Sequence, residues 1–159
     1  MLQSPLIYAP RLALPAKPSD PDSSLQQQQD TAKQSGKQVG VLIVEDDFLI
    51  GMQSETALTD AGFHVIGIAS TAEEAVAIAR EERPRLAVMD IRLAGRRDGV
   101  DAAGELFREL GVRCIFATAH DDEDTRARAE RFAPLGWLAK PYTMASLVAL
   151  VRRALTRGS

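Results

Sequence analysis

Three carboxylates stand at the ends of two apolar segments, where together they could handle a phosphoryl group. Residues 39–44 run directly into Glu45 and Asp46, and residues 85–90 end in Asp90. Crowded carboxylates raise one another's pKa unless a cation lies between them. A hard divalent ion such as Mg²⁺, held by carboxylates and water, removes that repulsion and also neutralises an incoming phosphoryl group. The pattern therefore predicts a carboxylate nucleophile beside a metal site.

Two further polar residues complete the set at the ends of later apolar segments. Thr118 ends residues 113–118 and offers a hydroxyl donor, while Lys140 ends residues 135–140 and offers a compact positive charge. Lys140 is the one lysine in residues 39–157, which contain 14 arginines. Any one of these residues is weak evidence, because Asp and Thr are ordinary turn and cap residues. Because ligand sites of open parallel sheets form beyond the carboxyl ends of the strands, the combination predicts phosphoryl transfer to Asp90.

Five short apolar segments alternate with five helix-like ones, which predicts the elements that position these side chains. Strands are expected at residues 39–44, 64–70, 85–90, 113–118 and 135–140, and helices at residues 47–61, 72–82, 100–110, 121–132 and 143–155. The first, third and fourth apolar segments are nearly continuous, which is typical of strands covered on both faces. Such β-α alternation predicts parallel strands joined by right-handed crossovers, and hence a doubly wound five-stranded α/β sheet with five helices.

Residues near the helix starts indicate how the helices are capped and which faces they bury. Asp47 fits the N-cap of the first helix, and Thr71 with Glu74 can form a capping box at the second. The first helix is expected to bury Ile50, Ala57, Leu58 and Ala61. The fourth helix has one large apolar residue, Phe132, which indicates a weakly anchored and therefore movable element.

Residues 1–38 differ in composition from the remainder and are expected to be a disordered N-terminal extension. They hold five of the eight prolines and seven glutamines, and after Leu14 they contain almost no large apolar residue. So little apolar surface cannot offset the chain entropy lost on ordering. The first ten residues have no basic side chain and prolines interrupt their apolar patch, which argues against a secretory signal. The sequence has no run of about 18 apolar residues that could span a membrane.

The charge and cysteine content of residues 39–157 narrow the class of protein. This part carries 15 basic and 19 acidic side chains, a net charge of −4, and so lacks the basic footprint of a nucleic-acid-binding domain. The single cysteine, Cys114, rules out an internal disulfide and suits a reducing cytoplasm. Its apolar segment predicts that it is buried. We therefore expect a cytoplasmic protein with neither nucleic acid nor membrane as a partner.

Five motifs resemble the receiver domain of bacterial two-component response regulators, including its CheY-like single-domain members. The motifs are VLIVEDD, LAVMDIRL, DGVDAA, IFATAH and GWLAKPY, and they stand in the family's order and at near-family spacing. The resemblance covers residues 39–155. It implies a receiver domain over residues 39–157 and a flavodoxin-like sheet with strand order 2-1-3-4-5.

The resemblance also assigns roles to the acidic residues. Glu45 and Asp46 correspond to the acidic pair that holds Mg²⁺, for which Mn²⁺ can substitute, and Asp90 corresponds to the phosphoacceptor. Asp90 and the backbone carbonyl of Arg92 are implied as further metal ligands. Each of these roles comes from the family's motifs.

Further roles follow from the last two motifs. Thr118 corresponds to the switch hydroxyl, and Lys140 to the lysine that pairs with the phosphoryl group. The Lys140–Pro141 peptide bond is implied to be cis. Trp137 stands where the family has a switch aromatic, usually Tyr or Phe. Its ring can either move between buried and exposed rotamers or remain permanently packed.

The sequence departs from the commonest family pattern near the phosphoacceptor. The loop between Asp90 and Asp98 has one extra residue and lacks the usual proline. Arg92 and His120 occupy positions where family members tune the lifetime of the phosphoryl group. We interpret His120 as a polar loop residue and His64, at the start of the second strand, as structural.

The resemblance implies a signalling protein that catalyses only its own phosphorylation and dephosphorylation. A sensor histidine kinase or a phosphotransfer protein would supply the phosphoryl group, and the face made by helix four, strand five and helix five would change in response. The sequence ends four residues after Leu155, so we expect no output domain and signalling by docking to another protein. A phosphate sink in a phosphorelay is the alternative, and a phosphorylation-dependent homodimer is compatible with either.

Two other classes of protein share part of this pattern. A haloacid-dehalogenase-like phosphatase also uses an aspartate nucleophile, but it needs a second aspartate where this chain has Arg92. A flavodoxin needs a Ser/Thr/Gly phosphate loop after the first strand, where this chain is acidic. The receiver interpretation therefore accounts for more of the residues than either rival.

Overall fold

Five parallel strands form one sheet in the order β2-β1-β3-β4-β5 in the computed structural model, which describes residues 38–119 and 122–157. The strands are β1 (Gly40–Val44), β2 (His64–Ala69), β3 (Leu86–Asp90), β4 (Arg113–Thr118) and β5 (Gly136–Ala139). The helices of the described part are α1 (Phe48–Asp60), α2 (Ala72–Glu82), α3 (Gly99–Leu110), α4 (Glu123–Glu130) and α5 (Met144–Arg157). The predicted doubly wound fold and its strand order are confirmed.

Two predictions concern residues that the structure does not describe. The expected disordered extension, residues 1–38, lies outside the described residues except for Gln38. His120 lies outside them as well. No helix among the described residues is both long enough and apolar enough to cross a bilayer.

The central strands are covered on both faces, because their alternate side chains enter two separate apolar clusters. One cluster joins the sheet to α2, α3 and Ala129 of α4, and the other joins it to α1 and α5. Every residue of β3 is buried, as are the last four residues of β1. Cys114 is buried as predicted, and burial raises the pKa of its thiol to about 12. The near-continuous apolar segments were therefore correctly interpreted as buried parallel strands.

The helix caps agree with the sequence patterns in part. The Asp47 side chain accepts hydrogen bonds from the amides of Leu49 and Ile50, as an N-cap does. At α2, Thr71 accepts from the Glu74 amide, but the Glu74 carboxylate accepts from the backbone and hydroxyl of Ser70. The predicted reciprocal capping box at Thr71 is therefore wrong in its second half, because the carboxylate reaches one residue further back.

Helix α1 lies on the sheet along a different stripe from the predicted one. Its buried residues are Gly51, Ser54 and Leu58, whereas Ile50, Ala57 and Ala61 are only half-buried. A Cβ atom at Gly51 would lie 3.1 Å from the Ile68 side chain of β2. The absence of a side chain at Gly51 thus lets the helix approach the sheet closely, and this contact rotates the buried stripe.

Candidate functional site

Asp90 is the last residue of β3, at the centre of the carboxyl edge of the sheet. Its neighbours are β1, which carries Glu45 and Asp46 just beyond its end, and β4, which ends at Thr118. Asp90 retains only 6% of its accessible surface. The strand order therefore brings Glu45 and Asp90, which are 45 positions apart in the sequence, to one edge. Topology, rather than any local pattern, brings them together.

Three carboxylates and one ammonium form the centre of the site. Lys140 Nζ lies 3.0 Å from Glu45 Oε2 and 3.0 Å from Asp90 Oδ2. Glu45 is buried like Asp90, whereas Asp46 is exposed at the rim. Glu45 Oε1 accepts a hydrogen bond from the Asp47 amide at 3.1 Å. The lysine thus holds both buried carboxylates and leaves the acidic cluster with an excess of negative charge.

The pKa shifts of Glu45 and Lys140 follow from this arrangement. Burial raises the pKa of Glu45 above its ordinary value, although hydrogen bonds from the Asp47 amide and the Lys140 ammonium oppose the shift. Burial alone would lower the pKa of Lys140, but its hydrogen bonds to Asp90 and Glu45 outweigh burial and raise that pKa. The ammonium is therefore held in its charged form beside the carboxylates.

The donor set fits a divalent cation. One oxygen from each of Glu45, Asp46 and Asp90 lies within 4.8 Å of the others. Carboxylate oxygens are the ligands that Mg²⁺ prefers, and the single ammonium of Lys140 balances only one of the three negative charges. Both the chemistry and the charge of the cluster are therefore suited to Mg²⁺.

The loop after Asp90 is tied back to the sheet despite its extra residue. The Arg92 amide donates a hydrogen bond to Asp90 Oδ1 at 3.3 Å, and the Gly99 amide donates one to the Ile91 carbonyl at 2.7 Å. A Cβ atom at Gly99 would lie 1.9 Å from the Asp90 carbonyl oxygen, so only glycine fits there. Gly95, within the lengthened loop, has φ +97°, a conformation that side chains disfavour. Glycines thus allow the longer loop to close beside the phosphoacceptor.

A cavity of about 270 Å³ opens directly over Asp90. The predicted residues Asp90, Arg92, Thr118 and Lys140 line it together with Ile91, Asp98, Ala119, Asp122 and Thr125. The Lys140 amide donates to the Thr118 carbonyl at 2.8 Å, which joins the two predicted phosphoryl-binding residues through the backbone. The Lys140–Pro141 peptide bond is cis.

Two acidic residues that line the cavity were not predicted from the sequence. Asp98 and Asp122 are the N-caps of α3 and α4, where they accept hydrogen bonds from the amides of Asp101 and Thr125. Asp98 and Asp101 form a reciprocal capping box. An aspartate near the start of each predicted helix was the available signal. That Asp98 and Asp122 lie close to Asp90 depends on the paths of the loops, which the sequence pattern does not specify.

Trp137 lies outside this cavity and is packed between two partners. Its ring stacks on Phe116 of β4 at 5.0 Å between centroids, and the Arg126 guanidinium of α4 lies 4.5 Å above it. Phe116 is fully buried, whereas Trp137 is half-buried. In this structure the ring therefore joins the core to α4. His64 is exposed at the start of β2, on the sheet edge opposite to the site.

Comparison with known proteins assigns this architecture to a family. A family model described as the response regulator receiver domain matches residues 41–152. The chain belongs to the receiver-domain family of response regulators. Both the strand order of this chain and the acidic cluster at the ends of β1 and β3 are typical of that family.

Several relatives contain a similar receiver domain. The transcriptional regulatory protein PdtaR of Mycobacterium tuberculosis is 33% identical over 117 residues, which are 74% of this chain and 57% of PdtaR. The phyllosphere-induced regulator PhyR of Methylorubrum extorquens is 40% identical over 116 residues, which are 72% of this chain and 43% of PhyR. The chain thus spans about half the length of the curated relatives that it matches.

Solved receiver domains share the fold. The signal receiver domain of a modulated diguanylate cyclase from Desulfovibrio desulfuricans G20 superimposes with a TM-score of 0.70 at 37% identity, covering 76% of this chain and 96% of that one. A CheY-like receiver domain protein from Methanospirillum hungatei JF-1 also gives a TM-score of 0.70, with the same coverage. Its identity of 24% supports the fold alone.

Proposed function

We propose that this receiver accepts a phosphoryl group on Asp90 from the phosphohistidine of a sensor histidine kinase or a phosphotransfer protein. The observation that carries the proposal is the buried Asp90 carboxylate, which faces a cavity and is held by Lys140. Residues 39–157 would form the receiver domain. The protein would be a phosphoacceptor whose only catalysis is its own phosphorylation and dephosphorylation.

The residues of this chain have distinct parts in the transfer. An Asp90 oxygen attacks the phosphorus in line, an acyl phosphate bond forms, and the bond to the histidine nitrogen breaks with both electrons going to the imidazole. Lys140 and Thr118 line the same cavity and would bind two of the phosphoryl oxygens. A Mg²⁺ or Mn²⁺ ion held by Glu45, Asp46, Asp90 and the Arg92 carbonyl would supply positive charge to the transition state.

An exposed apolar patch beside the acidic pair supports a protein as the phosphodonor. Phe48, Leu49 and Met52 of α1 are 78%, 64% and 44% exposed, and the helix begins two residues after Asp46. A small-molecule donor would need no such surface, whereas a docking protein can bury it. We propose that the phosphohistidine-bearing protein contacts this patch when its histidine enters the site.

The response to phosphorylation would pass through the α4–β5–α5 face. Helix α4 buries only Ala129, so few apolar contacts oppose its displacement. Trp137 contacts both β4 and α4 and is therefore placed to couple the two. We propose that the altered face docks a downstream protein in the cytoplasm, with phosphorylation-dependent homodimerisation as a variant. A phosphate-sink role would need the phosphoryl chemistry without that docking.

The decisive experiment measures the mass of the intact protein after incubation with acetyl phosphate and Mg²⁺. We expect a slow gain of one phosphoryl group that is absent in Asp90→Asn and present in the control Asp60→Asn at the far end of α1. Chelation of the divalent ion should abolish the gain. Phosphorylation that persists in Asp90→Asn would refute the assignment. Rapid multiple turnover of phosphate esters would instead support a phosphatase, an enzyme that needs a second aspartate at the position of Arg92.

The donor is tested separately with Phe48→Ser. We expect slower phosphorylation by a phosphohistidine-bearing phosphotransfer protein and an unchanged rate with acetyl phosphate, because only the protein donor uses the patch. Thr59→Ala, on the same helix and exposed, is the control. Equal slowing with both donors would mean that the substitution disturbs the site itself and would contradict docking at α1.

A further inference from the structure

A cleft between α3 and α4, separate from the phosphorylation cavity, is rich in arginine. It has a volume of about 390 Å³, and its walls carry four guanidinium groups. The lining residues are Arg97, Val100, Asp101, Gly104, Arg108, Arg128, Arg131 and Phe132. The chain as a whole has a net charge of −3, so this basic surface differs from the chain's average, which is acidic. Asp101 is the single carboxylate among the lining residues.

Two of the four arginines are already neutralised by acidic residues of the same chain. Arg97 pairs with Glu105, and Arg128 pairs with Asp98 and Asp101 at 2.8 and 3.2 Å. Their positions are thereby held in the walls of the cleft.

The other two arginines have no carboxylate partner within the described residues. The Arg131 side chain makes no hydrogen bond or ion pair with any residue of that part, and the Arg108 guanidinium carbon lies 5.4 Å from the centroid of the Phe132 ring without an ion pair there. Both side chains are exposed. Two positive charges therefore line the cleft without an ion-pair partner among the described residues.

The cleft also has an apolar part, whose shape depends on a glycine. The Phe132 ring lies against Gly104 of α3, where a Cβ atom would come within 2.7 Å of it. Phe132 also packs against Phe107 at 6.2 Å between centroids. A phenylalanine ring at the base of arginine walls suits a ligand that is both anionic and partly apolar.

We propose that the α3–α4 cleft is a docking site for an acidic segment of a partner protein, one that contains an apolar residue among its carboxylates. Arg108 and Arg131 would pair with its carboxylates while the apolar residue packs on Phe132. Residues 39–157 have a net charge of −4 and so offer no extended basic surface to a nucleic-acid backbone, which favours a peptide with discrete charges.

This site is connected to Asp90 through one ion pair. Arg128 lines the cleft and binds Asp98, and Asp98 lines the cavity over Asp90. An acidic segment that attracts Arg128 would therefore act on a residue of the phosphorylation cavity. The binding itself does not require phosphorylation, so it goes beyond the proposed function and can be tested without it.

The test uses a fluorescent octapeptide, Glu-Glu-Leu-Glu-Asp-Phe-Glu-Glu, titrated into the full chain at low salt. We expect saturable binding and changes in amide chemical shift that cluster in residues 97–108 and 128–132. Arg108→Glu and Arg131→Glu should each weaken binding by about fivefold or more, since each replaces an attractive charge by a repulsive one. The control is Arg153→Glu on α5, which is also exposed and should bind as the parent does.

Further controls distinguish binding in this cleft from a general charge effect and from a nucleic-acid site. The peptide with Gln and Asn in place of Glu and Asp should not bind, and Asp90→Asn should bind normally. Equal weakening by Arg153→Glu, or shift changes that cluster elsewhere, would overturn the proposal. Preferential binding of a single-stranded oligothymidylate of matched length would also overturn it in favour of a nucleic-acid ligand. Unchanged Trp137 fluorescence and circular dichroism verify that the variants are folded.

Discussion

Helices α3 and α4 both flank the cavity over Asp90, but they are attached to the sheet in different ways. Helix α3 buries six residues, Gly99, Val100, Ala102, Ala103, Gly104 and Leu106, whereas α4 buries only Ala129. Helix α4 depends instead on Arg128, which binds Asp98 and Asp101, and on Arg126, which lies over Trp137. One wall of the cavity is thus held by close packing and the other by charged side chains.

This difference suggests how the cavity can be both precise and responsive. Packed contacts are short-ranged and resist displacement, so α3 and Asp98 should keep the phosphoacceptor loop in place. Contacts between exposed charges are weaker and respond to any new charge nearby. We expect added negative charge at Asp90 to affect α4 more than α3.

The largest effect is expected where α3 touches the phosphoacceptor strand. In Gly99→Ala the new methyl group would meet the Asp90 carbonyl oxygen at 1.9 Å, and backbone atoms have no room to yield. We expect a loss of about 3 kcal/mol in the free energy of unfolding, measured by urea denaturation. Gly104→Ala is the control in the same helix. Its methyl group meets the ring of Phe132, a side chain that can shift, so about 1 kcal/mol is expected. Equal losses would contradict the rigid attachment of α3.

A smaller global effect but a clear local one is expected from Arg128→Ala. The ion pairs of Arg128 are partly exposed, so their removal should lower the free energy of unfolding by at most about 1 kcal/mol. Amide hydrogen exchange in α4 should nevertheless become faster, while exchange in α3 stays as in the parent. Arg80→Ala is the control, because the ion pairs of Arg80 join it to Glu105 and Glu109 of α3 and not to α4. Unchanged exchange in α4 would show that Arg128 does not anchor it.

The smallest expected effect is on how the free energy of unfolding changes with pH in acid. Burial pushes the pKa of Asp98 upward, but the hydrogen bond and charge of Arg128 and the Asp101 amide lower it overall. The unfolded chain therefore binds a proton more readily than the folded one. The stabilisation is present above the unfolded pKa of Asp98 and is lost as pH falls through its folded pKa.

Asp98→Asn should accordingly flatten the fall in stability at acid pH, as followed by urea denaturation at a series of pH values. In the Arg128→Ala background the same substitution should flatten it less, because the main favourable partner of the Asp98 carboxylate is gone. An identical change in both backgrounds would mean that Arg128 does not set the titration of Asp98.

Much of this architecture follows from patterns within short stretches of the sequence. Each strand was predicted from its own apolar residues, and the ends of β3, β4 and β5 point to Asp90, Thr118 and Lys140. The alternation of strands and helices then requires parallel pairing, which places these ends at one edge of the sheet. The roles assigned to the residues of this site remain predictions for the phosphorylation experiments.

Other features became visible only when separate elements were placed against one another. The contact of Gly99 with the Asp90 carbonyl and the arginine cleft at Phe132 depend on loop paths and helix positions. The exposed Phe48 and the buried Ser54 reverse what their residue types suggest, because the Gly51 contact sets the orientation of α1.

The sequence by itself determined the order of the elements, the two-faced burial of the central strands and the residues at the strand ends, since these depend on neighbours along the chain. Only the tertiary structure decided that Arg126 covers Trp137 and that Arg128 joins α4 to Asp98. Long arginine side chains can reach many partners from the same backbone position. Their contacts are therefore selected by the packing of whole helices, which no local pattern encodes.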